Sequence, residues 1–331
     1  MLYKQSDVPY CGVSYDNIQN SNPQIDRNNF GILYYYIQER YKIHVLKDVY
    51  GVQPPWTKDP ILSKYRFTNI RREHDRETRW LANNICLNSM DVENKIANII
   101  LFRMINKSST CQHFMPLDFG QPINWEPIIA VNNSEHEGAL FTNAFMVSGM
   151  LSGCRKLLQQ PNMDALYAVV AVVKQFWDNG KIHHLASVQT NPQEWCEVLR
   201  GFGAMGNFLT YQIWVDYTYC PECPWSENEF VVAGPGCRAG LNYIFTDRGG
   251  MTYEECLFWL RNNWDSLCKQ YGFNWNPNEL FIDLPPHDRY MNVMSLENCM
   301  CELSKYMKGL NKSGRLRATY VYHGGETHNE N

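Results

Sequence analysis

The sequence predicts an all-α fold, on three observations. Apolar residues recur at spacings of three and four over long stretches. Helix-start signals precede several of these stretches. Period-two alternation is scarce, confined to short pieces near 229–233 and 317–322. With 331 residues the chain is long enough for one large domain or two intimate ones with a sizeable core. Residues 1–27 read as an N-terminal extension, loosely ordered through 25. Residues 28–322 read as a helical catalytic domain, in one body or two lobes, and 323–331 as a disordered tail.

Each element has its own reason. Residues 29–49 carry an amphipathic stripe that Gly51 and Pro54-Pro55 end. Asp59-Pro60 has the form of a helix start, Asp as cap and Pro in the first turn, and the charge spacing that follows predicts a helix through Leu81. Residues 91–107 and 139–158 place Ile, Leu, Phe and Met on one face. Residues 163–178 are the most apolar helix and the predicted centre of the core. Asn191-Pro-Gln-Glu194 reads as a capping box, and 253–271 and 295–308 are the last clear helices.

Composition narrows the function classes. The net charge of -4 argues against a protein that is basic overall, yet a local basic stripe on an acidic body still suits DNA. No signal peptide opens the chain and no run approaches a membrane span, so a cytoplasmic protein without membrane contact is expected. Among the 12 cysteines, Cys220/Cys223 has zinc-like spacing but Cys299/Cys301 does not, so no metal is expected. No GxxxxGK[ST] loop occurs, which argues against a nucleotide site of that type, and no cofactor is expected.

Four segments carry chemistry. In Lys64–Arg79, a helix would align Asn69, Arg72 and Arg76 on one face with Asp75 beside them, and Arg66 lies just before. Guanidinium forks suit phosphate oxygens, although the same pattern also describes a solvated, ion-paired helix. Residues 191–216 read helix, Gly201-Phe202-Gly203 turn, helix. That hairpin pattern lets backbone approach a phosphate, and Asp216 sits at the far end of its second helix, against the macrodipole. Asp216 is thus either a functional carboxylate or the partner of a nearby cation. The Gly234-Pro-Gly236 loop with Arg238 reads as a second phosphate loop or a structural turn. Asn298, Glu302 and Lys305 share a helix face, as a buried polar network or a surface pair.

Trp56-Thr-Lys-Asp-Pro-Ile-Leu62, the RFTNIRREHDRETRW run, the GFG hairpin with QIWVDY, the GPGCRAGL loop and NCMCELSKY, in that order, resemble one family over residues 28–322. It comprises the alpha-glutamyl/putrescinyl-thymine pyrophosphorylases together with the helical domain of 5-hydroxymethyluracil DNA kinases, and similar anti-phage DNA glycosylases. The resemblance implies a helix-hairpin-helix DNA-glycosylase-like fold and work on 5-substituted pyrimidines in phage DNA. The kinase members carry a phosphate-binding loop domain for which this sequence has no motif.

Two activities follow. The first is a glycosylase that excises a hypermodified base, such as glucosylated 5-hydroxymethylcytosine, in anti-phage defence. It would flip the base against Trp56, Tyr65 and Trp214, with Asp216 catalytic and Asp75 its rival. The second is a transferase in DNA hypermodification that displaces pyrophosphate from pyrophosphorylated 5-hydroxymethyluracil with an amine or amino acid. In both, Asn69, Arg72, Arg76, Arg238, Glu302 and Lys305 hold phosphate or substrate, and Arg66, Gly201, Gly203, Gly234 and Gly236 hold DNA. A non-catalytic binder of modified DNA is a third reading. The glycosylase is the leading expectation, acting as a monomer on DNA.

Overall fold

A computed structural model describes residues 13–133, 140–142, 147–314, 316 and 319–320, and it is all-α. Among the described residues the only strands are Gln24–Ile25 and Phe245–Asp247, which pair antiparallel. The expected strand near 229–233 is irregular. Of 317–322, Thr319 forms a single bridge with Tyr65, and 317, 318, 321 and 322 lie outside the described residues, as does the tail 323–331.

The chain divides into two compact units. Residues 13–75 and 228–320 form the first, and 76–227 the second. In the first unit, Asp26 caps Arg27–His44 by accepting the Asn29 N–H at 2.9 Å. Phe30, Leu33, Ile37 and Tyr41 recur at spacings of three and four and are buried. A π-helical turn, Val45–Val49, ends that helix where the sequence predicts a stop. Tyr253–Tyr271 starts on a full capping box between Thr252 and Glu255 and stops at Gly272, whose φ of +79° suits only glycine readily. The segment before residue 25 is not loose where it is described. Tyr15–Asn20 is helical, and Ser14 N–H and the Asn17 amide both donate to Glu255.

The long helix expected from Asp59 to Leu81 does not form. Asp59 does cap a turn, accepting the N–H groups of Ile61 and Leu62 at 2.8 Å. Beyond Lys64 the chain is extended or irregular, apart from a single 3-10 turn at Arg72–His74, until Arg76–Leu81. The charge spacing was helical, but no apolar stripe accompanied it. Phe67, Ile70 and Arg71 are buried, but the backbone groups of 67–69 bond to the side chains of Arg40, Asn298, Glu302 and Asp75 instead of to one another.

In the second unit Val92–Ile105, the most buried helix, packs against Ala165–Asp178. The latter hides Leu166, Val169, Val170 and Val173, the predicted core centre. Pro192–Arg200 is capped by Asn191 and followed by the turn at 201–206 and the helix Asn207–Tyr217.

Back in the first unit, the helices Pro235–Ile244 and Val293–Leu310 approach closely. A Cβ on Gly236 would lie 2.4 Å from Cys301 Sγ, and one on Gly240 would lie 2.0 Å from the Met300 carbonyl oxygen. Gly236 thus makes room for the Cys301 side chain, and Gly240 sets a backbone-to-backbone contact. Gly→Ala in a helix ordinarily gains about 1 kcal/mol from propensity. Here the obstructing atom is a carbonyl that cannot turn aside, so Gly240→Ala is expected to lose about 2 kcal/mol or more, read as a lowered urea midpoint at unchanged m.

Candidate functional site

The first unit collects most of the singled-out residues around the irregular segment 66–75. Arg40, on Arg27–His44, donates to the Phe67 carbonyl at 3.2 Å and to Asn69 Oδ1 at 2.8 Å. From the Val293–Leu310 helix, Asn298 donates to the Asn69 carbonyl at 2.9 Å, and Glu302 accepts the Thr68 N–H at 3.2 Å. Lys305 donates to the Arg66 carbonyl and lies over the Phe67 ring. Asn298, Glu302 and Lys305 are thus a polar network that grips a loop by its backbone. Asn69 closes the loop on itself. Its N–H donates to Asp75 at 3.0 Å and its side-chain amide donates to the His74 carbonyl at 3.0 Å.

Arg72 of this loop exerts an electrostatic pull on two acids. Burial pushes the Asp75 carboxyl up to about 6, against the opposing pull of the Asn69 N–H, Arg40 and Arg72. Burial likewise pushes Glu297 up to about 7, opposed by Arg72 and by the N–H of Gly234, which donates to it. Glu297 is 6% exposed and Asp75 is half-buried. Two carboxyls whose burial and shared arginine leave them titrating near neutrality can each accept or give a proton at physiological pH. Arg238 stands on the neighbouring helix, with Nε on the Ala233 carbonyl at 2.9 Å and its guanidinium over Tyr253. Gly234 contributes its N–H, whereas Gly236 is committed to helix packing.

Trp56 and Tyr65, also in this unit, are half-exposed. Trp56 donates to the Val52 carbonyl at 2.6 Å and stands edge-on to Tyr320.

The remaining expected residues fall in the second unit and have structural surroundings. Trp214 is fully buried, so it has no face to offer a base. Asp216 has no exposed surface. Arg103 binds both its oxygens, Nε at 2.6 Å and Nη2 at 2.5 Å, and Arg103 also reaches Asn106 at 2.7 Å. The acid placed against the helix dipole is held there by a buried guanidinium. Gly203, at φ +86°, has Leu157 Cδ1 at 3.2 Å from where a Cβ would sit, and Phe202 is buried. The turn at 201–203 therefore packs against Val147–Leu158. Gly201 ends the preceding helix in ordinary helical geometry. Arg76 pairs with Glu77 at 2.7 Å on the surface.

Sequence reasoning missed Arg40 and Glu297. Glu297 left a signal: it is the one acid in the stretch Val293-Met-Ser-Leu-Glu-Asn298, otherwise patterned for burial. Arg40 left none, because its role depends on a loop 27 residues away.

The helical domain of 5-hmdU DNA kinases matches this chain over residues 27–314. The chain belongs to that family. A 5-hmdU DNA kinase of Bacillus phage SP10 is 24% identical over 322 residues, covering 91% of this chain and 48% of the phage protein. The chain therefore spans about half the length of that relative. No solved structure matches. These matches overturn the glycosylase expectation, and with it excision and anti-phage defence. The relative is named for a transferase that phosphorylates, not for a hydrolase of glycosidic bonds. The helix–turn–helix at 191–217 had suggested the wrong chemistry because a tight glycine turn serves packing as readily as phosphate binding. Among the described residues no helix is long and apolar enough to cross a membrane.

Breaking the buried pair in the second unit tests its structural role. Asp216→Asn should cost about 3–5 kcal/mol in denaturant unfolding, since it strands a buried guanidinium. Replacing both partners with apolar residues, Arg103→Met with Asp216→Leu, should recover most of that loss.

Proposed function

We propose that this chain is a transferase of DNA hypermodification acting on 5-hydroxymethyluracil-type bases: an amine or amino acid replaces pyrophosphate on the base's 5-methylene carbon. Family membership and the relative's name support the modified base in DNA and a transferase in the broad sense. The observation that carries the finer reading is the loop 66–75, which bears Arg72 and half-buried Asp75 and is gripped by the helix that carries buried Glu297, with burial pushing the two carboxyls up to about 6 and about 7. A displacement of this kind needs a cation for the departing pyrophosphate and a carboxylate for the proton of the incoming amine.

In this reading the target base leaves the helical stack, as chemistry on a base requires, and rests against Trp56 or Tyr65. Arg72 binds the pyrophosphate by its fork of donors. The amine nitrogen bonds to the methylene carbon as the carbon–oxygen bond breaks. Pyrophosphate departs with the bonding electrons, and the nitrogen's surplus proton passes to Glu297. Arg66 and Arg238 act as DNA contacts in this reading, and salt should weaken binding through counterion release.

The relative's name also favours a second reading, in which the chain takes part in phosphorylating the hydroxymethyl group. One experiment separates them. DNA carrying pyrophosphorylated 5-hydroxymethyluracil is incubated with putrescine or glutamate, and DNA carrying 5-hydroxymethyluracil with ATP. Pyrophosphate release with a base of matching mass in the first supports the transfer. Phosphorylated base in the second, and nothing in the first, replaces it.

The pH dependence follows from Glu297. Its base form appears as pH rises through about 7, so the rate should climb through that value. Glu297→Gln should remove this limb and lower the rate about a hundredfold or more. The same raised pKa destabilises the folded state above about pH 7 and ceases to do so below the unfolded value of 4.5. Glu297→Gln should therefore leave the protein at least as stable at pH 8 as the parent, which separates lost catalysis from lost folding.

A further inference from the structure

Three side chains of the first unit converge at the end of the loop 66–75. His44 comes from the end of Arg27–His44, His74 from the loop, and Asp283 from the segment after Pro277–Leu280. His44 Nε2 lies 2.9 Å and His74 Nε2 3.4 Å from the same oxygen, Asp283 Oδ2. The three potential ligand atoms lie within 4.8 Å of one another. His44 is buried, and the side chains of His74 and Asp283 are 11% and 14% exposed.

We propose that His44, His74 and Asp283 form a binding site for a divalent transition ion of the zinc class. Nitrogen and carboxylate donors are the set such ions take, and three protein ligands with a fourth position left open is the form of an accessible zinc site. Tetrahedral bonds of about 2 Å place ligand atoms about 3.3 Å apart, close to the separations found. The imidazoles stack at 4.1 Å with 14° between planes, so binding requires the rings to turn out of this stack until both Nε2 lone pairs converge on the ion.

The surroundings of the ligands argue for a metal more strongly than the ligands alone. A metal-bound histidine characteristically donates its other ring N–H to a carboxylate, and a ligating carboxylate is itself hydrogen-bonded. Both supports are in place. His44 Nδ1 faces Asp48 Oδ2 at 2.9 Å, and Tyr41 donates to Asp283 Oδ1 at 2.5 Å, leaving Oδ2 for the cation. Tyr41 also lines a cleft of 520 Å³ with Lys42, Tyr50 and Ile282, so solvent reaches to within one side chain of the cluster. On binding, the His44–Asp283 hydrogen bond is exchanged for two metal bonds, and any proton on His44 Nε2 leaves to solvent. His74 is the chain neighbour of Asp75, so the ion would hold the loop that carries Arg72.

The purified full chain, stripped with chelator, is titrated with zinc and separately with cobalt. The expected result is one equivalent of zinc bound at micromolar concentration or tighter. Cobalt should give visible absorption of a nitrogen–oxygen site without a sulfur charge-transfer band. His74→Gln should abolish saturable binding. Asp48→Asn, which touches only the support, should weaken it by about 10- to 100-fold. Circular dichroism of each variant confirms folding. Absence of stoichiometric binding overturns the proposal. Undiminished affinity in folded His74→Gln does so too, as does a sulfur–cobalt band, which would place the ion at Cys220 and Cys223.

Discussion

The contact of Gly240 with the Met300 carbonyl governs the rest of the first unit. Two helices can approach this closely only where side chains are absent, and the approach fixes more than packing. It sets the height of Gly234, whose N–H meets Glu297, and the rotation of Val293–Leu310. That rotation turns Asn298, Glu302 and Lys305 toward the backbone of 66–69 and Glu297 into the interior. A methyl group at Gly240 would thus displace the loop with Arg72 and Asp75 indirectly, through a lever of one helix.

The loop 66–75 shows why polar residues at a site are poor witnesses to secondary structure. Its charges alternate at helical spacing, yet its N–H and C=O groups are claimed by Arg40, Asn298, Glu302 and its own Asn69 and Asp75. A backbone with several of its hydrogen bonds met by side chains can do without regular structure. Such a loop is held as firmly as a helix while presenting its side chains in directions no helix allows.

What was legible in the sequence is what depends on neighbours in the sequence. The stripe of Phe30, Leu33, Ile37 and Tyr41, the Asn191 cap and the apolar run at 165–178 gave their helices to within a few residues. The motifs at 66–75, 234–240 and 298–305 were legible as a group, and the structure gathers them in one unit. Their roles were not legible, because each is set by a partner far along the chain. Arg103 stands 113 residues from Asp216, and nothing near Asp216 announced it. Separation along the chain also hid the link between Arg40 and Asn69, 29 residues apart, and the meeting of His44 with Asp283, 239 residues apart. Glycines misled in one direction: Gly203 and Gly236 marked close packing where phosphate contact was expected.

The discontinuity of the first unit bears on how the protein comes into being. Residues 76–227 form one uninterrupted stretch, whereas the first unit is written in two pieces on either side of it. During synthesis the first piece emerges with Arg27–His44 and the 66–75 loop, but Asn298, Glu302 and Glu297 do not yet exist. Its polar backbone must wait, hydrated and irregular, while the intervening unit is made and can already fold. Closure of the first unit then joins segments more than two hundred residues apart, a slow class of contact. A ribosome that stalls late would therefore release a chain with one finished unit and one exposed, half-built surface, the species most at risk of proteolysis and aggregation.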